Sequence, residues 1–216
     1  MAKELNGLYL VVDPGPGLKI VAQKVKSAIL GGVDIIQIWN NWNERQDKKL
    51  FITTLYGMAQ PKGIKVLIND EYEWLAETRL DGVHFDRVPE NGLKNVRESV
   101  NRPFIAGLTC GNSVSEVYKA KEEGFDYISF CSMFPSPSAG TCEIVDPETV
   151  RAACKIFKSS VFAAGGITPH NAGKVLDTGV DGIAVISGIM GTDDPETATR
   201  QFKNLINKYR YAEKND

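Results

Sequence analysis

The 216-residue chain contains no run approaching the roughly 18 apolar residues of a membrane-spanning helix. It has no block rich in lysine and arginine, and its formal net charge is −2. Neither nucleic acid nor an anionic membrane surface is therefore an expected partner. Its four cysteines, Cys110, Cys131, Cys142 and Cys154, show no CxxC spacing, so reduced thiols are expected in place of a zinc site or a disulfide framework. The opening Met-Ala-Lys-Glu-Leu-Asn-Gly carries no long apolar stretch after its charges and does not read as a secretory signal. The expected location is the cytoplasm. No linker or low-complexity segment interrupts the chain, and one domain over 1–216 is expected. With 43% hydrophobic residues the chain can bury a sizeable core.

One short pattern recurs four times: Gly or Leu, then Asp within two residues, then an apolar run. It appears as Gly32-Val33-Asp34-Ile35-Ile36, Leu80-Asp81-Gly82-Val83, Gly124-Phe125-Asp126-Tyr127-Ile128 and Gly179-Val180-Asp181-Gly182-Ile183. The glycine copies read as the end of a helix, a left-handed residue, and entry into a buried strand. The spacing suits two βα units per period, hence eight units in all. The intervening strands fall where this predicts, at 8–13, 65–70, 104–109 and 161–166. Apolar stripes at helical spacing lie between them, such as Ile20-Val21-Val25-Ala28-Ile29 and Val150-Ala153-Ile156-Phe157, the second after the helix-opening Asp146-Pro147-Glu148. The expected fold is a single (βα)8 TIM barrel. An open doubly wound sheet is the alternative; eight units and no glycine-rich fingerprint after the first strand weigh against it.

Barrel function sits at the C-terminal ends of the strands. After strand seven, Gly165-Gly166-Ile167-Thr168-Pro169 leaves backbone N–H groups open to an anion, with Thr168 and Pro169 expected to start the next helix. After strand eight comes Ile186-Ser187-Gly188. The two loops together read as a phosphate cradle, although paired glycines also serve tight turns. Asp70 after strand three suits either a Mg2+ ligand or a helix cap. After strand two, alternation sends Gln37, Trp39 and Asn41 to one face, where Trp39 and Trp42 would either stack on a flat heterocycle or cap the rim. His84 reads as an acid/base candidate or as a buried structural histidine. His170 is expected at the surface. Ser136 and Ser138 lie in a proline-stiffened loop that would hold a second anionic group or form a plain turn. Cys110 and Cys131 have no basic sequence neighbour and read as small buried residues.

In their order along the chain these segments resemble the thiamine phosphate synthase family over nearly the whole length. The likeness rests on Leu8–Pro14, Gly32–Gln37, Ile68-Asn69-Asp70, Asp81–His84, Phe134–Ser138, Gly165–Thr168 and Asp181–Ser187. It implies a transferase of thiamine biosynthesis that joins a pyrimidine methyl diphosphate to a thiazole phosphate. It further implies Mg2+ and small phosphorylated substrates; the sequence leaves open whether the chain forms a homo-oligomer. By resemblance, Gln37 and Asn69 contact the pyrimidine, Asp70 binds Mg2+, and Thr109 lies near the pyrophosphate. Ser136 and Ser138 lie beside the thiazole. Gly165, Gly166, Ile186, Ser187 and Gly188 hold its phosphate.

The chain departs from the family pattern on the pyrophosphate side. Trp39 and Asn41 stand where the family has basic residues after strand two, Ala139 where it has a lysine, and Pro89 where it has a second metal-binding aspartate. Arg87 is the nearby candidate for stabilising the leaving group and Asp86 for the second metal ligand; Arg45, Lys48 and Lys49 could fold back. A thiazole tautomerase would need no pyrophosphate chemistry, but its expected histidine after strand five is replaced by Cys110-Gly111-Asn112. A non-catalytic binder of a phosphorylated heterocycle would keep the cradle and the indoles. A barrel enzyme acting on sugar phosphates would need an inward lysine or carboxylate pair, and none is evident.

Overall fold

The computed structural model describes residues 5–136 and 143–212. Eight parallel strands close into a barrel in sequence order, with the last strand paired to the first. They are β1 (Gly7–Val12), β2 (Ile35–Ile38), β3 (Lys65–Asn69), β4 (Gly82–Phe85), β5 (Ile105–Cys110), β6 (Tyr127–Cys131), β7 (Ser160–Ala164) and β8 (Gly182–Val185). Helices follow each strand: α1 (Leu18–Gly31), α2 (Lys48–Ala59), α3 (Trp74–Glu77), α4 (Gly92–Val100), α5 (Val114–Glu123), α6 (Pro147–Ile156) and α7 (Ala172–Leu176). After β8 come the one-turn α8 (Ser187–Met190) and the long α9 (Pro195–Ala212), which packs mainly on α1. Among the described residues no helix is long and apolar enough to cross a membrane.

The fourfold aspartate has a direct physical cause. Each one sits just before an even strand and clamps the first residues of the odd strand beside it. Carboxylate oxygens of Asp34, Asp81, Asp126 and Asp181 accept from the backbone N–H of Leu8 (2.7 Å), Val66 (2.9 Å), Ala106 (2.7 Å) and Val161 (2.8 Å). The N–H of each aspartate donates back to the carbonyl of the same residue. A strand start exposes N–H groups that its ladder does not yet satisfy, and these clamps satisfy one at each odd strand. Cations sit on these carboxylates as well: Lys203 on Asp34, Lys65 on Asp81 and Arg97 on Asp126. The repeat thus ties the strands in pairs, β1 to β2, β3 to β4, β5 to β6 and β7 to β8, at the barrel's N-terminal face.

Alternation along the strands separates two apolar regions. Outward residues such as Leu8, Leu10, Ile36, Ile68, Val83 and Ile128 pack beneath the helices. Inward residues Tyr9, Ile35, Leu67, Tyr127, Phe162 and Ala184 fill the barrel. Gly107 makes room for this filling, because a Cβ there would lie 2.0 Å from Cζ of Tyr127. Above this layer the inward positions become polar: Gln37, Asn69, His84, Thr109 and Ser129.

Some local expectations shift. The helix after β7 does not start at Pro169 with Thr168 as its cap. Thr168 and Pro169 lie in a turn in which the Asn171 side chain accepts from the Thr168 N–H at 2.7 Å, and α7 begins at Ala172. In α1, Val21, Val25 and Ala28 are buried as the stripe predicts, but Ile20 is 53% exposed. The opening of α6 is as expected, with Asp146 accepting from Glu148 N–H and Pro147 in the first turn. The predicted strand boundaries move by one or two residues, as helix and strand ends do.

Candidate active site

A cavity of about 430 Å3 opens at the C-terminal ends of the strands, a size that suits a small-molecule ligand. One wall is built largely from backbone. Gly165 and Gly166 both adopt left-handed angles (φ 90° and 63°). A Cβ on Gly166 would lie 2.7 Å from the carbonyl oxygens of both Phe134 and Pro135. The loop after β6 is zipped to this turn by Met133 N–H to Ala164 O (2.8 Å) and Phe134 N–H to Gly165 O (3.1 Å). That pairing carries Ser136 to the cavity wall. Ile186, Ser187 and Gly188 complete the wall from β8. Ser138 and Ala139 lie outside the described residues.

The floor is a continuous hydrogen-bonded chain of side chains. Thr109 Oγ1 lies 2.8 Å from His84 Nε2, and His84 Nδ1 lies 2.9 Å from the Tyr127 hydroxyl. Tyr127 reaches the Tyr9 hydroxyl at 2.8 Å. Tyr9 donates to Gln37 Oε1 at 2.7 Å, and Gln37 Nε2 donates to Asn69 Oδ1 at 3.2 Å. Asn69 Nδ2 then donates to the His84 carbonyl (3.3 Å) and to Asp86 Oδ1 (3.2 Å). Burial pushes the pKa of His84 from 6.5 down to about 4, against a smaller upward pull from the charge of Asp86. Both tyrosines are driven up by burial, so they stay neutral phenols.

The opposite rim is acidic. Asp70 is half-buried in a left-handed conformation (φ 55°) directly after β3. Its Oδ1 accepts from the Asp86 N–H at 2.9 Å and its Oδ2 from Asn40 Nδ2 at 3.3 Å. Neither bond belongs to a helix start, so the cap reading of Asp70 is replaced: α3 opens at Trp74, after Glu73. Burial raises the Asp70 pKa, with added repulsion from Asp86 and Glu71 and a lowering bond from the Asp86 backbone. Two carboxylates that repel each other at a solvent-facing rim fit a hard divalent cation. Among the described residues no cluster of three or more His, Cys, Asp or Glu exists to cage one. That donor set suits Mg2+, which commonly takes one or two carboxylates and completes its shell with water and phosphate oxygens. Asp86 and Arg87 line both the cavity and the groove containing Asp70.

Gln37, Trp39, Asn69, Thr109, Arg87, Ser136 and the two glycine loops all line the one cavity. Asn41 does not; it is exposed and donates to Asp13 Oδ1 at 3.1 Å. Trp42 packs edge-on against Phe51 and donates to Glu71 at 3.1 Å, so it caps the rim. Lys48 and Lys49 do not fold back to the cavity, because Glu71 and Glu77 hold them at 2.6 and 3.2 Å. His170 is exposed. Cys110 is buried, with its thiol pushed up to about 12 by burial and by Glu116, as fits an inert residue. Sequence reasoning did not single out Tyr9, Tyr127 or Ser129 as site residues. Strand parity with Gln37 and Thr109 was the available signal.

Residues 8–189 match the family model described as thiamine monophosphate synthase. A thiamine-phosphate synthase from Methanocella arvoryzae is 31% identical over 214 residues, covering 95% of this chain and 97% of that protein. The bifunctional thiamine biosynthesis protein ThiED of Geobacter sulfurreducens is 29% identical over 204 residues, and the match spans 41% of its length. Among solved structures, thiamine phosphate pyrophosphorylase from Pyrococcus furiosus superposes with a TM-score of 0.81 at 28% identity, covering 94% of this chain and 96% of that one. A closed eightfold barrel whose mouth joins a glycine-built wall to an amide-lined floor, matched over most of its length, belongs to the thiamine monophosphate synthase family.

Proposed function

We propose that the protein is a thiamine phosphate synthase. It condenses 4-amino-2-methyl-5-(diphosphooxymethyl)pyrimidine with a thiazole phosphate, giving thiamine phosphate and pyrophosphate. The observation that carries this reading is the single cavity shared by the glycine wall and the Gln37–Asn69–Thr109 floor. Two substrates bound at these two surfaces would meet across it.

The bond between the pyrimidine methylene carbon and the diphosphate oxygen breaks, and pyrophosphate leaves with the electron pair. The thiazole nitrogen then donates its lone pair to the benzyl-like carbon. Such chemistry asks the protein for position and for charge on the leaving group. Gln37 and Asn69 orient the pyrimidine, and the half-buried indole of Trp39 covers its face. Gly165, Gly166, Ile186, Ser187 and Gly188 bind the thiazole phosphate, with Ser136 and Ser138 beside the ring. Arg87 faces the departing pyrophosphate, in place of the basic residues that the family carries after β2. Asp70 and Asp86 would hold Mg2+, which when bound supplies positive charge to the diphosphate oxygens. Thr109 lies between the floor and the diphosphate.

The test is the reaction itself. Purified protein with both substrates and Mg2+ should release thiamine phosphate and pyrophosphate in equal amounts, and excess EDTA should stop it. A folded protein that gives neither product overturns the proposal.

A further inference from the structure

The floor chain has a direction, and that direction is set at one end. Two of its members can only accept: the His84 backbone carbonyl and the Asp86 carboxylate. Asn69 must turn its NH2 toward both, which leaves its oxygen facing Gln37. Gln37 must then present its own NH2 to Asn69 and its oxygen to Tyr9. Tyr9 has one hydrogen, and it goes to Gln37. Tyr127 must therefore donate to Tyr9, and its oxygen is left to accept from His84 Nδ1. A neutral imidazole that donates through Nδ1 has a bare Nε2. Among the described residues, Thr109 is the hydrogen-bond partner of that nitrogen, at 2.8 Å.

We propose that Tyr9 and Tyr127 are positioning residues that hold His84 as its Nδ1–H tautomer, so that Thr109 turns its hydroxyl hydrogen into the floor and only lone pairs toward the ligand. Thr109 then selects a hydrogen-bond donor. Its partner is an N–H of the ligand or a water, including a water held by a bound cation; a bare phosphate oxygen is disfavoured. The polarity of the floor stands whatever the substrate is. That a diphosphate lies opposite Thr109 rests on the synthase reading.

The chain has two histidines, so His170→Gln leaves His84 as the one imidazole signal. In 15N-histidine NMR of the ligand-free protein at neutral pH, Nδ1 should carry the proton and Nε2 should be bare. Finding the Nε2–H tautomer, or an imidazolium, overturns the proposal whether or not the protein is a synthase. Tyr9→Phe frees the Tyr127 hydroxyl to donate to Nδ1, so the tautomer should move toward Nε2–H; an unchanged tautomer in the folded variant removes Tyr9 from the mechanism. Affinity for inorganic pyrophosphate, with and without Mg2+, reads the outward face. Thr109→Val should leave metal-free binding unchanged or make it tighter. Weakening confined to the Mg2+ form identifies cation-bound water as the donor, and no weakening in either form supports a Thr109 hydroxyl that donates nothing to the anion. A loss of about tenfold without metal, the loss expected when a hydrogen bond donated to an anion is removed, overturns the proposal. If pyrophosphate fails to bind at all, the synthase reading fails while the tautomer result still decides this one.

Discussion

The two sides of the mouth are built from different materials. The β7–β8 side is largely backbone: Gly165, Gly166 and the turn from Ile186 to Gly188, braced by main-chain bonds to the loop after β6. The β2–β4 side is side chains: Gln37, Asn69, Asp70, Asp86 and Arg87, each held by another side chain or lying at an exposed rim. A backbone cradle needs only the fold and small residues, so its chemistry survives wide sequence change. A side-chain surface can be re-equipped one residue at a time. On the proposed function, that is where this chain would be re-equipped: Trp39 and Arg87, which follow β2 and β4, both line the cavity.

The largest expected effect falls on the side-chain half. Asp70→Asn keeps the left-handed backbone, which asparagine tolerates, and keeps an oxygen for the Asp86 N–H. It removes the charge that would hold Mg2+. Turnover should fall by about 10²–10³-fold, the scale of losing one leaving-group stabiliser. Because burial and repulsion raise the Asp70 pKa, the charge is held at a cost, and the variant should be more stable at neutral pH. Rates with increasing Mg2+ and urea melts check the pair. A variant that is slower and also less stable would break the assignment of strain to this rim.

The backbone half should respond differently. Gly166→Ala puts a methyl 2.7 Å from two carbonyl oxygens at φ 63°. The cradle must shift by something near an ångström, and misplacement on that scale can cost about 10²-fold. The loss should appear in KM for the thiazole phosphate, while KM for the pyrimidine diphosphate stays near its starting value. Equal damage to both constants would mean that the two halves are not separate surfaces.

Which of these features the sequence reveals follows from how local each cause is. The four aspartates are legible because each performs the same main-chain clamp at the same point of a repeat. Gln37 is legible because parity holds within β2. Asn41 is not, because β2 ends at Ile38 and alternation no longer applies beyond it; the side chain turns instead to Asp13. Lys48 and Lys49 look available in sequence, but Asp47 caps α2 there and the helix aims them at Glu71 and Glu77. Asp70 carries no sequence mark of its left-handed backbone, so cap and ligand could not be separated. Tyr9 and Tyr127 carry no sequence mark of a site role: both are buried in the barrel, and only the meeting of their hydroxyls, across 118 residues of sequence, makes them part of the site.

The smallest effect tests the floor that joins the halves, and it is read from stability. His84 takes a proton at 6.5 when unfolded but only near 4 when folded, because burial disfavours the imidazolium. As pH falls from 6.5 toward 4, the unfolded chain binds the proton first, so folding stability declines through that window and is full above it. Between pH 7 and pH 5 the decline due to this group should be about 2 kcal/mol. Carboxylates change the total slope, so the quantity to measure is the difference in urea-melt stability between the wild type and His84→Gln at the two pH values. The variant should be less stable at pH 7, because it loses the bonds to Thr109 and Tyr127, yet flatter between pH 7 and 5. A variant with the same slope as the wild type would show that His84 is not the buried neutral link of the floor, and the two sides of the mouth would then lack the connection described here.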